Sequence, residues 1–249
     1  MSMDKKFSIH RTAQVANLER RLFIKRGLSL GALSLLAGCR LSDEESVQRV
    51  LSVMSRWNDG VQSWLFDPKR LAPEFPESRI TRPFPFNGYY SEEEVQVIDG
   101  STYKLELAGM VRDKKPWTLA ELYALPQVSQ ITRHICVEGW SAIGSWSGVR
   151  FSDFLARIGA DTTAKYVGFQ CADDYYGSID MATALHPQTI LALRFADEIL
   201  PPKYGYPMKL RIPTKLGFKN PKHIAAVFVT NEYPGGYWED KGYNWFSGS

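Results

Sequence analysis

The chain has 249 residues, 44% apolar and 23% charged, a balance that excludes an unfolded polar chain and suffices for one substantial core. Its net charge of +3 is concentrated in residues 1–38, which hold seven basic and two acidic side chains. The remainder has two more acids than bases, which excludes a nucleic-acid binder working by overall charge. Three cysteines, Cys39, Cys136 and Cys171, exclude a disulfide framework.

In chain order, Arg20-Arg21-Leu22-Phe23-Ile24-Lys25 is a twin-arginine stretch followed by the apolar run Leu28 to Leu36. The run is too short for a stable transmembrane helix, so residues 1–38 read as an export signal. Leu36-Ala37-Gly38-Cys39 looks like a lipobox, which implies cleavage before Cys39, a lipid tether and a periplasmic address. Ser42 to Phe66 is predicted to be an amphipathic helix capped by Ser42. Val47, Val50, Leu51, Met54, Trp57, Val61 and Trp64 form the face expected to pack on the domain. Residues 67–87 carry five prolines and are expected to wrap the surface irregularly, so that residues 39–85 form a helix-and-wrap region ahead of a domain at 86–249.

From Tyr103 the chain alternates short strands and short helices. Strands are predicted at Tyr103–Met110, Val128–Val137, Lys165–Cys171, Ile190–Phe195, Met208–Ile212 and His223–Thr230. Helices are predicted at Thr118–Ala124, where Thr118 and Glu121 make a capping box, and at Ser152–Ile158. Without a regular βαβ rhythm, this predicts an α+β domain of mixed sheets and short helices.

Two features carry chemistry. Cys136 sits where a strand gives way to a glycine-containing loop, in Arg133-His134-Ile135-Cys136-Val137-Glu138-Gly139-Trp140-Ser141. Its thiolate can anchor a soft or high-valent metal, and nearby Arg133 is expected to favour the anion. Spacing alone leaves open a plain packing cysteine, a cysteine hydrolase with His134 or His186 as base, and, more weakly, a zinc site with Cys171. The second feature is a tract without carboxylates between Glu198 and Glu232, bearing Lys203, Lys209, Arg211, Lys215, Lys219 and Lys222. Suppressed negative charge over so long a run points to a fixed anion, such as a phosphate or pyrophosphate. The export signal argues against a nucleic acid, and the lipid tether leaves an anionic membrane surface open as the alternative. Trp140, Tyr175 and Tyr176 are candidates for a substrate mouth, or are ordinary packing aromatics.

These residues resemble the sulfite-oxidase family of molybdopterin enzymes, and in particular its sulfoxide-reducing branch. The resemblance runs from about Phe84 to Thr230, through the motif at Cys136, Lys165-Tyr166-Val167-Gly168-Phe169, Leu185-His186-Pro187, Leu200-Pro201-Pro202 and Lys215-Leu216-Gly217-Phe218-Lys219. It implies a sulfite-oxidase-type molybdopterin-binding domain with Mo-molybdopterin as cofactor and Cys136 as metal ligand. Asn87 and Tyr90 are then pterin contacts, and Asn220, Pro221 and Lys222 hold its phosphate end. Cys171, Tyr204 and Lys209 fall at cofactor-contact positions where that branch carries a threonine, an asparagine and an arginine.

Sulfite oxidases show Arg-Asn-His where this chain has Phe86-Asn87-Gly88, and Ala-Gly-Asn-Arg where it has Val137-Glu138-Gly139-Trp140. The missing arginines favour a neutral sulfoxide over sulfite. The chain stops at Ser249, which leaves no room for the immunoglobulin-like dimerisation domain of sulfite oxidases. With no haem motif, iron–sulfur cysteines or dinucleotide fingerprint, two-electron oxygen-atom transfer implies a separate partner, a haem-containing membrane subunit or a soluble cytochrome. A non-catalytic anion-binding lipoprotein on the same scaffold is the competing expectation.

Overall fold

The computed structural model describes residues 45–248. The leader, Cys39 and the predicted cap Ser42 lie outside the described residues. Two compact units divide between Trp57 and Asn58. The first contributes, among the described residues, only the opening of helix α1 (Glu45–Leu65).

Helix α1 forms where its periodicity predicts. Within the second unit, its last turns keep Val61 half-buried and Trp64 exposed. Periodicity identifies a face but says nothing of what covers it. The end of α1 is tied down by Asp59, whose carboxylate accepts from Asn244 Nδ2 at 2.6 Å and from the Phe246 amide at 2.9 Å. The proline-rich segment is irregular as expected and lies against the domain, through a bridge from Glu74 to Thr132, the Thr81 amide donating to Ile143 O at 2.9 Å and the Ala72 amide donating to Gln188 Oε1 at 2.8 Å.

Two five-stranded sheets build the second unit. The first runs β2 (Trp117–Thr118), β1 (Lys104–Gly109), β10 (Ile224–Thr230), β5 (Tyr166–Cys171) and β6 (Tyr176–Asp180). β10 is central; it pairs parallel with β1 (Glu106 opposite Ala226) and antiparallel with β5 (Val227 opposite Phe169). The second sheet runs β3 (Gln127–Ile135), β4 (Ser141–Arg150), β7 (Ile190–Phe195) and β8 (Glu198–Ile199), with β9 (Lys209–Arg211) also on β7. Short helices α2 (Leu119–Tyr123), α3 (Phe151–Arg157) and α4 (Met181–Ala184) fill the turns. The fold is therefore α+β, with mixed sheets and short helices.

The main core joins Leu105, Val167 and Val227 of the first sheet to Val149, Leu191 and Leu193 of the second, sealed by Phe151 and Phe154 of α3. A second cluster around Phe84, Trp146 and Tyr204 lies beneath the site. The capping box at α2 is present: Thr118 Oγ1 accepts from the Glu121 amide, and the Glu121 carboxylate accepts from the Thr118 amide at 2.8 Å. Strands β4 and β6 and helix α4 were not anticipated. β4 is buried on both faces and carries Gly144 and Gly148, so it shows neither alternation nor β-propensity.

Gly109 ends β1 at φ +74°, with the space of a Cβ filled by the Val229 backbone of β10. Gly109→Ala is expected to cost about 2 kcal/mol or more, through left-handed strain and loss of fit in the parallel pair. Urea denaturation checks this.

Candidate active site

β3 delivers Cys136. Along Arg133, His134, Ile135 and Cys136 exposure alternates, so His134 and Cys136 face inward while Arg133 and Ile135 face out. A turn then closes: the Cys136 amide donates to Trp140 O at 2.9 Å and the Gly139 amide to Cys136 O at 3.2 Å. Cys136 Sγ accepts from Asn87 Nδ2 at 3.3 Å and lies 3.5 Å from Glu138 Oε2, which also accepts from Trp140 Nε1 at 3.0 Å. Burial pushes the free thiol up from its usual range, and the Glu138 carboxylate adds to this. A metal cation at the sulfur reverses both effects. Arg133 does not take part: it points away from the sulfur and stacks over Phe75, 5.3 Å from the ring centre.

Cys136 shares a cavity with Asn87, Gly88, Tyr89, Asp173 and the Asn220-Pro221-Lys222 loop. The sulfur and Lys222 therefore line one space. Behind the loop lie Lys209 and Arg211, both buried, with Lys209 close enough to Lys222 and to Arg211 to be repelled by each. Burial is the largest cause lowering Lys209 and Arg211, the latter to about 9, and it lowers Lys222 to about 8. Among the described residues none of the three has a carboxylate ion-pair partner. Arg211 Nε, His223 Nε2 and both nitrogens of His134 are buried with no hydrogen-bond partner. The Asp173 carboxylate offsets part of the burial at Lys222; buried cations are costly, and an anionic ligand lowers the cost. Gly217 keeps the wall open, since a Cβ there would approach His134 Nε2 to 2.6 Å.

The remaining candidates divide. Tyr90 donates to Asp173 Oδ2 at 2.8 Å, and Lys222 Nζ sits over the Tyr90 and Phe86 rings. Asn220 lines the cavity but spends its side chain on the loop, accepting from Arg211 and the Ile212 amide and donating to Leu216 O. Tyr204 donates to Phe84 O at 2.7 Å and Cys171 is buried; neither lines the cavity. Tyr175 does line it, whereas Trp140 and Tyr176 do not. His186 is occupied by Arg70 O and the Gln188 amide, a structural arrangement. Trp238 and Tyr243, which sequence reasoning missed, form a wall supplied by the C-terminal segment. That segment is held by Glu239 on buried Lys219 and by the Lys215 ammonium on Phe246 O. Asp173 was also missed as a site residue; its position two after Cys171 was the available signal.

Residues 92–238 match the family described as the oxidoreductase molybdopterin binding domain. The chain belongs to that family. A relative from Azospira oryzae, provisionally named protein-methionine-sulfoxide reductase subunit YedZ1, is 66% identical over 92% of this chain and 88% of its own. Mitochondrial sulfite oxidase of Drosophila melanogaster is 30% identical over 89% of this chain but only 45% of its own length. The crystal structure of the sulfane dehydrogenase SoxCD from Paracoccus pantotrophus shares the fold. It has a TM-score of 0.52 and 19% identity, covering 55% of this chain and 40% of that one. As a molybdopterin oxidoreductase, the protein takes Mo-molybdopterin as its cofactor. Lys222, joined to the Cys136 thiol by one cavity and backed by the buried Lys209 and Arg211, fits a group with a metal at one end and an anion at the other.

The depressed lysine sets a pH dependence. Lys222 loses its proton at about 8 in the free protein, and a bound anion raises that value. Between the two values binding takes up a proton, so cofactor affinity is full below pH 8 and falls as pH rises above it. Pterin fluorescence in a titration of the apoprotein from pH 7 to 9.5 checks the sign.

Proposed function

We propose that this protein is an exported catalytic subunit that reduces neutral sulfoxides, with Cys136 as the metal ligand. The observation that carries the reading is the position of the Glu138 carboxylate, 3.5 Å from Cys136 Sγ, in a cavity whose lining contains no arginine. A carboxylate beside the proposed metal ligand repels anionic sulfite and leaves a neutral sulfoxide unaffected. Aromatic walls from Tyr175, Phe218, Trp238 and Tyr243 suit an apolar thioether body.

When bound, the cofactor supplies a two-electron metal centre for oxygen-atom transfer. Cys136 holds the metal, oriented by Asn87. Lys209, Arg211 and Lys222 hold the anionic tail, Tyr90 and the Phe86 ring position Lys222 against the pterin, and Asn220 with Pro221 keeps the loop in place. Tyr204 and Cys171 act behind these groups, the first by anchoring Phe84. Residues 1–38 serve as a twin-arginine signal, Cys39 as a lipid attachment point, 39–85 as helix and wrap, and 86–249 as the oxidoreductase domain in the periplasm. A membrane partner, carrying haem, exchanges electrons with it. Holoprotein assayed with a viologen donor and methionine sulfoxide, and separately with sulfite and ferricyanide, tests the substrate. Faster turnover of sulfite refutes the reading.

A further inference from the structure

On the outer face of β3, opposite the cofactor cavity, lies a groove of about 860 Å³. It shares no lining residue with the cavity. Its walls include Phe66, Leu71, Phe75 and Ile135, with Leu71 55% exposed. Arg70 and Arg133 also line it, against one carboxylate, Asp67; both arginines are exposed, and among the described residues no carboxylate lies within ion-pair distance of either guanidinium. Ile135 immediately precedes Cys136, so the groove floor lies about 3.8 Å along the backbone from the Cα of the proposed metal ligand.

We propose that this groove is where the electron carrier docks, through an apolar segment flanked by carboxylates. The inference rests on the proposed catalytic reading and adds the surface through which electrons enter. Substrate needs the cavity mouth, walled by Trp238 and Tyr243. A carrier seated on the opposite face reaches the ligand strand without blocking that mouth. Apolar walls give contact area, and two guanidiniums against the single carboxylate of Asp67 leave an excess positive charge that selects an acidic rim. Per turnover, a one-electron carrier is oxidised twice; one sulfoxide accepts the two electrons with two protons from solvent and leaves as thioether and water.

The test compares two electron donors on full-length holoprotein with methionine sulfoxide as acceptor. One donor is reduced benzyl viologen, which needs no docking; the other is a preparation of inner-membrane vesicles from the native cells, driven by NADH. The charge-reversed pair Arg70→Glu and Arg133→Glu is expected to slow vesicle-driven turnover about ten-fold or more while viologen-driven turnover stays unchanged. Both side chains are at the surface, and the viologen rate reports that fold and cofactor are intact.

Unchanged vesicle-driven turnover, vesicles unable to drive even the wild type, or equal loss with both donors overturns the proposal. So does wild-type binding to protein-free vesicles of phosphatidylglycerol that the variant loses, which makes the groove a lipid site. A wild type loaded with molybdenum that viologen cannot drive overturns the catalytic reading instead.

Discussion

Cys136→Ser is expected to lower sulfoxide turnover about 1,000-fold or more while leaving the fold intact. The side chain is buried, and serine is close to it in volume, so packing is preserved. What changes is donor chemistry. A hydroxyl is harder and far less acidic than a thiol, and it does not replace a thiolate on a high-valent metal. Asn87 Nδ2 and the Glu138 carboxylate lose the sulfur they now contact, but both can hydrogen-bond a hydroxyl. The lysines at the far end are untouched, so pterin content measured by fluorescence stays near the wild-type level. The electron paramagnetic resonance signal of the metal changes. Full turnover by the serine variant would remove the thiolate from the mechanism.

Lys222→Met is expected to act in opposite directions on two readouts. The ammonium is buried, with its Nζ donating only a long 3.4 Å bond to Lys203 O and lying over two aromatic rings. Burial lowers it to about 8, and the Asp173 carboxylate offsets only part of that cost. Folded below and unfolded near its ordinary value, such a group destabilises the apoprotein at neutral pH, and the penalty disappears as pH rises through that window. Methionine removes the penalty and keeps the stem that packs on Phe86, so apoprotein melting rises by a few degrees, on the order of 1 kcal/mol. Cofactor retention after desalting falls about 100-fold, since a charge-assisted contact to the anionic end is lost. A variant with unchanged retention would show that the ammonium does not hold the anion. Stability given up in the empty state for affinity in the loaded one is a common arrangement at binding sites.

The sequence patterns that proved readable were those with a local cause. The box at Thr118 and Glu121 is a contact three residues long, and it forms. The Cys136 loop and the carboxylate-free tract stood out in the sequence because both are local patterns of residue type, a cysteine at a strand end and a run of cations without acids. The structure brings Cys136 and Lys222 to one cavity although 86 positions separate them. What was hidden depended on distant partners. Strand β4, with glycines at 144 and 148, is a strand because β3 and β7 flank it, not because of its own preference. Arg133 seemed a neighbour of Cys136 in sequence, but strand alternation sends it to the opposite face. The wall formed by Trp238 and Tyr243 arrives from the end of the chain, where no motif marked it.

The central place of β10 has a consequence for how the molecule is made. Its partners β1 and β5 are both synthesised earlier, and β1 waits through more than a hundred residues before its parallel neighbour exists. A nascent chain shorter than about 230 residues holds one sheet without its middle and a cysteine without its cationic counterpart. Assembly is thus deferred to the last moments of translation. The cofactor's cavity is complete only in a protein whose chain has been made almost to its end.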